Sequence, residues 1–184
     1  MKLATIVKAA SIVIMAGSVS IMAGCGGDVI APSPPVPSAT GSMAAAIDGQ
    51  LCSNVSQSPP QAQLVSQGGL SSLSIVGLLF APTGQLVGTM FLELGGPIEL
   101  GSYDLTRDAI NADQPGNAGW LFLESRATLW GTNETHVGVV TITRLDIAGL
   151  LVEGTFSFDG ISPETGALKS VRQGTFSAPL VIAE

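Results

Sequence analysis

Apolar and polar residues alternate with a period of two along much of the chain. Between residues 151 and 158 the even positions are Val, Gly, Phe and Phe, and the odd positions are Leu, Glu, Thr and Ser. This period is typical of a β-strand with one buried face, whereas an amphipathic helix repeats about every 3.6 residues. Gly-Thr-Phe-Ser occurs at 154–157 and again at 174–177, which we interpret as one buried phenylalanine flanked by outward polar residues. Residues 42–184 show no convincing helical period, so the pattern predicts one all-β domain.

Turn residues separate the alternating segments. Asp48-Gly49 is a strong signal for a tight hairpin turn. Pro82-Thr83-Gly84 lies between two segments, 70–80 and 85–94, that we expect to pair as a hairpin. Roughly eight to ten short strands of this kind favour a single antiparallel β-sandwich or a flattened barrel.

The first 24 residues have the parts of an export signal. Lys2 and Lys8 give a positive start, residues 9–23 are uncharged and mainly apolar, and small residues precede Cys25. The apolar run is shorter than the roughly 20 residues that a transmembrane helix needs. Its end, Met-Ala-Gly-Cys, resembles the lipobox of bacterial lipoproteins, which implies cleavage after Gly24 and a lipid on the Cys25 thiol. The alternative is an ordinary secretory signal that leaves the cysteine unmodified.

Residues 25–41 have no periodicity and contain prolines at positions 32, 34, 35 and 37. Proline-rich segments favour an extended polyproline geometry of about 3.1 Å per residue, so we predict a tether between the lipid and the β-domain. Gly26 follows the cysteine, where an Asp would retain an enterobacterial lipoprotein in the inner membrane. The likeness to lipoproteins therefore implies an extracytoplasmic location in the cell envelope, at the outer membrane rather than the inner one.

The charge balance after the signal segment is strongly acidic, because five basic residues accompany 14 acidic ones. Such a surface repels phosphate backbones, so we expect no nucleic-acid partner. It also repels an anionic bilayer. Membrane attachment is therefore expected through the N-terminal lipid, whose two or three acyl chains, palmitate among them, would hold stably where a single chain would not.

Several short segments follow one family pattern in order across most of residues 43–180. They are Ala45–Gly49, Leu73–Gly77, Gly101–Leu105, Gly138–Asp146, Val152–Phe158 and Gly174–Phe176. Together they resemble a group of uncharacterised bacterial lipoproteins of the Bacteroidetes type, known only as a domain of unknown function. That group often has Trp shortly after its Asp-Gly turn, where this chain has Cys52. The resemblance implies an all-β extracytoplasmic lipoprotein and implies no activity.

We expect no enzyme activity and no cofactor, since the sequence shows no catalytic constellation. With Cys25 lipidated, Cys52 is a single thiol without an internal disulfide partner, and we expect it to fill a buried position. His136 is the chain's one histidine, so a zinc site with three or four ligands is not expected. The chain has no Gly-x-Ser-x-Gly motif, although it contains the serine, histidine and aspartate residues that a Ser-His-Asp triad requires.

An acidic segment offers weak candidates for a metal site. Asp104, Asp108 and Asp113 carry the oxygen ligands that calcium prefers, but their spacing does not match an EF-hand loop. We expect a solvated loop there and no metal.

The sequence indicates a structural or binding module with an envelope protein or a glycan as its partner. Such a module would show an exposed aromatic patch, for which Tyr103, Trp120 and Trp130 are the weak candidates. One alternative is an apolar-ligand carrier, which needs a cavity that small residues such as Gly77, Gly88 and Gly154 permit. A less favoured alternative is a hydrolase, which needs His136 near a serine and an acidic residue.

Overall fold

A computed structural model describes residues 41–67, 70–108, 116–123 and 128–183, without the side chains of Gln67 and Leu70. Strands make up 68% of these residues, and none of them is helical, which confirms the all-β class. Accordingly, this part of the chain holds no helix long and apolar enough to cross a membrane. The predicted signal peptide, Cys25 and the tether up to residue 40 lie outside the described residues.

The described residues form eleven strands. They are β1 (Ser42–Ile47), β2 (Gln50–Ser53), β3 (Gln61–Gln67), β4 (Leu70–Phe80), β5 (Leu86–Gly95), β6 (Gly101–Leu105), β7 (Ala118–Leu123), β8 (Thr128–Gly131), β9 (Gly138–Asp146), β10 (Leu151–Ile161) and β11 (Leu168–Ala183).

All eleven strands belong to one large mixed sheet, in the order β2-β1-β11-β3-β4-β5-β7-β8-β10-β9-β6. The expectation of a purely antiparallel sheet was wrong at one pair, because β3 lies parallel to the end of β11. β1 pairs with β11 only up to Ser177, so the last residues of β11 pass beyond β1 and offer their free edge to β3. β10 also pairs with β11. Pairing therefore runs from β11 through β3, β4, β5, β7, β8 and β10 and back to β11, which makes a closed circuit of hydrogen-bonded strands.

The predicted hairpin turns are confirmed. Asp48 and Gly49 have φ values of 49° and 83°, which gives the two-residue turn with two left-handed residues that an Asp-Gly pair favours. Segments 70–80 and 86–95 form the predicted hairpin of β4 and β5, and Gly84 in its turn has a φ of 81°.

Strand β3 is the element that the sequence pattern missed. Its sequence, Gln-Ala-Gln-Leu-Val-Ser-Gln, has only three apolar residues and follows two prolines that read as a chain break. Ala62 and Leu64 still face the core, opposite Ile75 and Leu73 of β4. The weak alternation of this segment does not predict a strand. Packing against the neighbouring strand β4 therefore decides its conformation.

The core consists of the inward residues of the alternating strands. Among the largest fully buried side chains are Met43, Leu73, Ile75, Met90, Leu92, Leu121, Ile142 and Phe158. Each buried side chain of this size contributes about 1.5–3 kcal/mol relative to an exposed one. The polar residues between them face outwards, as the period of two predicts.

The repeated Gly-Thr-Phe-Ser segments pair with each other across β10 and β11. Gly154 lies opposite Phe176, and Phe156 lies opposite Gly174, while the two threonines between them face solvent. Both phenylalanines are 3% exposed, and their ring centroids lie 6.3 Å apart. Each ring thus covers the glycine of the other strand, so the two copies form one reciprocal contact that we call the Gly-Phe pair.

We expect Gly174→Ala to destabilise the domain. An ideal Cβ on Gly174 would lie 2.6 Å from ring atoms of Phe156, and that buried ring has little room to move. Overpacking of this kind costs about 1–3 kcal/mol, measured as the free energy of unfolding in urea. The control is Thr175→Ala, an exposed neighbour that should stay within about 0.5 kcal/mol of the parent. Equal stabilities for the parent and Gly174→Ala would contradict the importance of the Gly-Phe pair.

Candidate functional site

Several turns meet at one end of the sheet because their strands run in the same direction. β1 and β10 are both antiparallel to β11, and β4 is antiparallel to β3, which is itself parallel to β11. The turns that follow β1, β4 and β10 therefore lie at the same end.

A pocket of about 400 Å³ lies among these turns, and we call it the Trp130 pocket. It is lined by residues of four hairpins, among them Gln50, Gln85, Leu123, Trp130, Leu168 and Lys169. Its volume falls within the range of small-molecule sites, about 300–1,000 Å³. Trp130 is the sequence-predicted binding residue that the structure places here.

Trp130 closes the inner side of the pocket. It lies on β8 opposite Leu121 and is 6% exposed, and its Cβ packs against the bare backbone of Gly160 on β10. The indole Nε1 is buried and has no hydrogen-bond acceptor in the described part of the chain. Leaving such a donor without an acceptor costs about 1–3 kcal/mol.

Lys169 covers the Trp130 ring and ties the pocket to the first hairpin. Its Nζ lies 5.2 Å from the ring centroid, a favourable cation–π distance. The same Nζ lies 2.5 Å from Asp48 Oδ2, while Asp48 Oδ1 accepts a hydrogen bond from the Ser170 backbone N–H at 2.9 Å. Partial burial raises the pKa of Asp48, but the bonds from Lys169 and Ser170 and the Lys169 charge outweigh it and hold the pKa below its ordinary value.

Trp120 lies on the other face of the sheet from the core. It stacks on Phe91, its cross-strand neighbour on β5, with ring centroids 5.3 Å apart and an interplanar angle of 14°. Val76 of β4 is the next residue in the same row. All three are partly exposed, so this row is an apolar strip separate from the Trp130 pocket.

Tyr103 has a local role. Its hydroxyl accepts a hydrogen bond from the Glu99 backbone N–H at 2.6 Å and lies 2.9 Å from the Glu99 carbonyl. Its ring packs against the core from β6. These contacts hold the turn before β6, and the structure does not bring Tyr103 together with Trp130.

Cys52 and His136 take structural positions. Cys52 is 1% exposed within the core, as expected, and burial raises the pKa of its thiol. The His136 Nδ1 lies 3.0 Å from Thr135 Oγ1 and 3.1 Å from Asn133 Oδ1. Asn133 Oδ1 also accepts hydrogen bonds from the backbone N–H groups of Thr135 and His136. The histidine ring is therefore part of this turn.

The acidic metal candidates are only partly described. Asp104 is exposed on β6, Asp108 follows in the loop, and Asp113 lies outside the described residues. The described ranges contain no group of three or more His, Cys, Asp or Glu side chains placed to hold a metal ion.

The small residues that permitted an internal cavity are covered by neighbouring side chains. A Cβ on Gly77 would meet the Met43 sulfur at 2.6 Å, and one on Gly154 would meet the Phe176 ring at 2.6 Å. These glycines therefore admit large side chains from adjacent strands, and the space beside them is filled.

Comparisons of the chain with protein-family models, with curated proteins and with solved structures give no match. Conclusions about the Trp130 pocket therefore depend on its own residues.

Sequence reasoning missed Gln50, Gln85, Asp48 and Lys169 as parts of a site. The available signal was the turns themselves, of which those at 48–49 and 82–84 were recognised singly. Their convergence depends on strand order, which the sequence pattern does not contain.

We expect Asp48→Asn to remove an acid-sensitive part of the stability. Asn tolerates the left-handed turn position and keeps an acceptor for Ser170, but it loses the charge that pairs with Lys169. The Asp48 side chain is 48% exposed, so the loss at pH 7 should be below about 1 kcal/mol. Because the folded pKa is lowered, this stability is present above the unfolded pKa of about 3.9 and is lost as the pH falls through the folded value.

Urea unfolding of the parent and Asp48→Asn between pH 7 and pH 2 measures this difference. The two proteins should converge in acid, while Glu164→Gln, an exposed carboxylate of the β10–β11 turn, should follow the parent throughout. A constant gap between parent and Asp48→Asn at every pH would count against the ion pair.

Proposed function

We propose that this chain is a lipid-anchored, non-enzymatic protein of the cell envelope whose β-domain binds a small ligand in the Trp130 pocket. Cys25 carries the lipid, the tether spaces the domain from the bilayer, and the domain lies outside the cytoplasm, at the outer membrane rather than the inner one. The partner on the membrane side is the bilayer itself, and nucleic acid is not a partner.

The observation that carries the binding role is the composition of the Trp130 pocket. It combines a buried indole with an unpaired donor, a lysine held by Asp48, two glutamines and apolar walls in one concave site. Convergent polar groups on an apolar surface fix the orientation of a bound small molecule. Binding therefore fits this site better than a purely structural role.

The finer fold assignment belongs to the same proposal. A single β-sandwich or flattened barrel agrees with ladders that return to β11 through β10. In such a fold the turns at one end surround the mouth of the interior, which is where small β-domains bind ligands.

The lipid anchor is supported by the sequence alone. The lipobox-like Met-Ala-Gly-Cys, the proline-rich tether and the resemblance to uncharacterised bacterial lipoproteins all favour it. The acidic surface gives no electrostatic attraction to an anionic bilayer, so membrane attachment would depend on this anchor.

The pocket favours a polar ligand over the two alternatives. An apolar-ligand carrier would be lined by apolar side chains alone, whereas Gln50, Gln85 and Lys169 add polar groups to the apolar walls of this site. A hydrolase would need His136 beside a serine and an acid, whereas the contacts of its ring described above are to Asn133 and Thr135.

We expect Cys25→Ser to abolish lipid attachment. Cells expressing the parent in the presence of labelled palmitate should yield a labelled protein whose mature N-terminus, by mass spectrometry, is residue 25. Cys52→Ser keeps the acceptor thiol and should stay labelled, which separates the two cysteines. Palmitate in Cys25→Ser, or a free thiol at residue 25 of the parent, would refute the anchor.

We expect Leu168→Trp to block ligand binding by closing the pocket mouth. Leu168 is 60% exposed and lines the pocket, while Leu100 is 65% exposed and is not part of its lining. A ligand at about 100 times its Kd stabilises a folded domain by about 2.7 kcal/mol. An aqueous extract of the native envelope should therefore raise the melting temperature of the parent and of Leu100→Trp by several degrees, but not that of Leu168→Trp.

The binding role is wrong if the extract leaves the parent unchanged. It is also wrong if Leu168→Trp responds as fully as Leu100→Trp, because the ligand would then bind elsewhere.

A further inference from the structure

We infer that the Trp130 pocket takes an uncharged, hydroxyl-rich ligand, namely the end of a neutral saccharide. This rests on the proposed binding function and adds the chemical class of the ligand. Three features of the lining carry it, which are its charge balance, its free amides and its apolar walls.

The charge of the described lining is balanced. Among the described residues that line the pocket, Lys169 is the one charged side chain, and its Nζ lies 2.5 Å from the Asp48 carboxylate. A carboxylate or phosphate ligand would approach Asp48 together with Lys169, so attraction and repulsion would largely cancel. An uncharged ligand is neither attracted nor repelled by this ion pair as a charge would be, so its binding does not depend on that balance.

Two glutamines at the rim suit hydroxyl groups. The side chains of Gln50 and Gln85 are exposed, and neither makes a hydrogen bond to another described residue through its amide. A glutamine amide has an acceptor oxygen and two donor hydrogens. A hydroxyl group also donates and accepts, so adjacent hydroxyls of a sugar match these amides.

The apolar part of the lining suits the C–H surface of a sugar ring. Leu86, Val87, Leu123 and Leu168 line the pocket beside the Trp130 indole. The Trp130 Nε1 is buried and donates no hydrogen bond to any described residue, so the indole contributes apolar surface to the pocket as the structure stands.

The two tryptophans of the chain provide a matched pair of reporters. Trp120→Phe leaves Trp130 as the single fluorescent indole inside the pocket, and Trp130→Phe leaves Trp120 on the outer face. Full-length protein is purified in lauryldimethylamine oxide, a detergent without a sugar headgroup. The probes are glucose, galactose, N-acetylglucosamine and their disaccharides, with glucuronic acid, glucosamine and hexanoate as the charged and apolar comparisons.

We expect at least one neutral sugar to change the Trp130 emission of Trp120→Phe with saturation and to leave the Trp120 emission of Trp130→Phe unchanged. Adding Gln85→Ala to the Trp130 reporter should weaken the affinity about tenfold, since one or two hydrogen bonds are lost. Gln63→Ala, an exposed glutamine of β3, should leave it unchanged.

The comparison probes separate failure of the ligand class from failure of the binding function. Saturation by glucuronic acid, glucosamine or hexanoate, with no neutral sugar, overturns the saccharide inference and leaves a binding pocket. No saturation by any probe also overturns it, and the Leu168→Trp experiment then decides alone whether the pocket binds anything. An equal response of both reporters would overturn the assignment to this pocket.

Discussion

The Gly-Phe pair between β10 and β11 is the contact on which the rest of the sheet depends. Each phenylalanine ring packs on the backbone of a glycine in the facing strand. Because the glycine has no side chain, two large rings fit between neighbouring strands. Each strand supplies one glycine and one phenylalanine, and the observed register of β10 against β11 places each ring over the glycine of the other strand. β11 offers its other edge to β1 and β3, while β10 pairs with β9 and β8, so the two strands that carry this contact have direct pairings with four others.

The Trp130 pocket depends on a second, smaller set of contacts. Asp48 lies in the turn of one hairpin and Lys169 at the start of another, and their ion pair joins two elements that are distant in sequence. Lys169 in turn lies over the Trp130 ring. The same carboxylate joins the two hairpins and balances the charge of Lys169 beside the pocket.

Local patterns predicted the elements whose side chains carry a strong period. The hairpin of β4 and β5, the Asp48-Gly49 turn and the inward phenylalanines of β10 and β11 were all evident from alternation and turn chemistry. Strand β3 was not, since its glutamines mask the two inward residues, Ala62 and Leu64. Among the three aromatic candidates, Trp130 lines the pocket, Trp120 lies in an outer strip and Tyr103 holds a turn. Residue type alone could not predict these different positions.

The sequence by itself determined the all-β class, most of the strands and the residues that face the core, because a period of two is a local property that backbone geometry imposes. It also contains the only grounds for the lipid anchor at Cys25. The tertiary structure alone decided which turns meet, since strand order depends on pairings between residues more than a hundred positions apart, such as those of β11 with β1 and β3. The pocket is a product of that order, and no single segment of the chain encodes it.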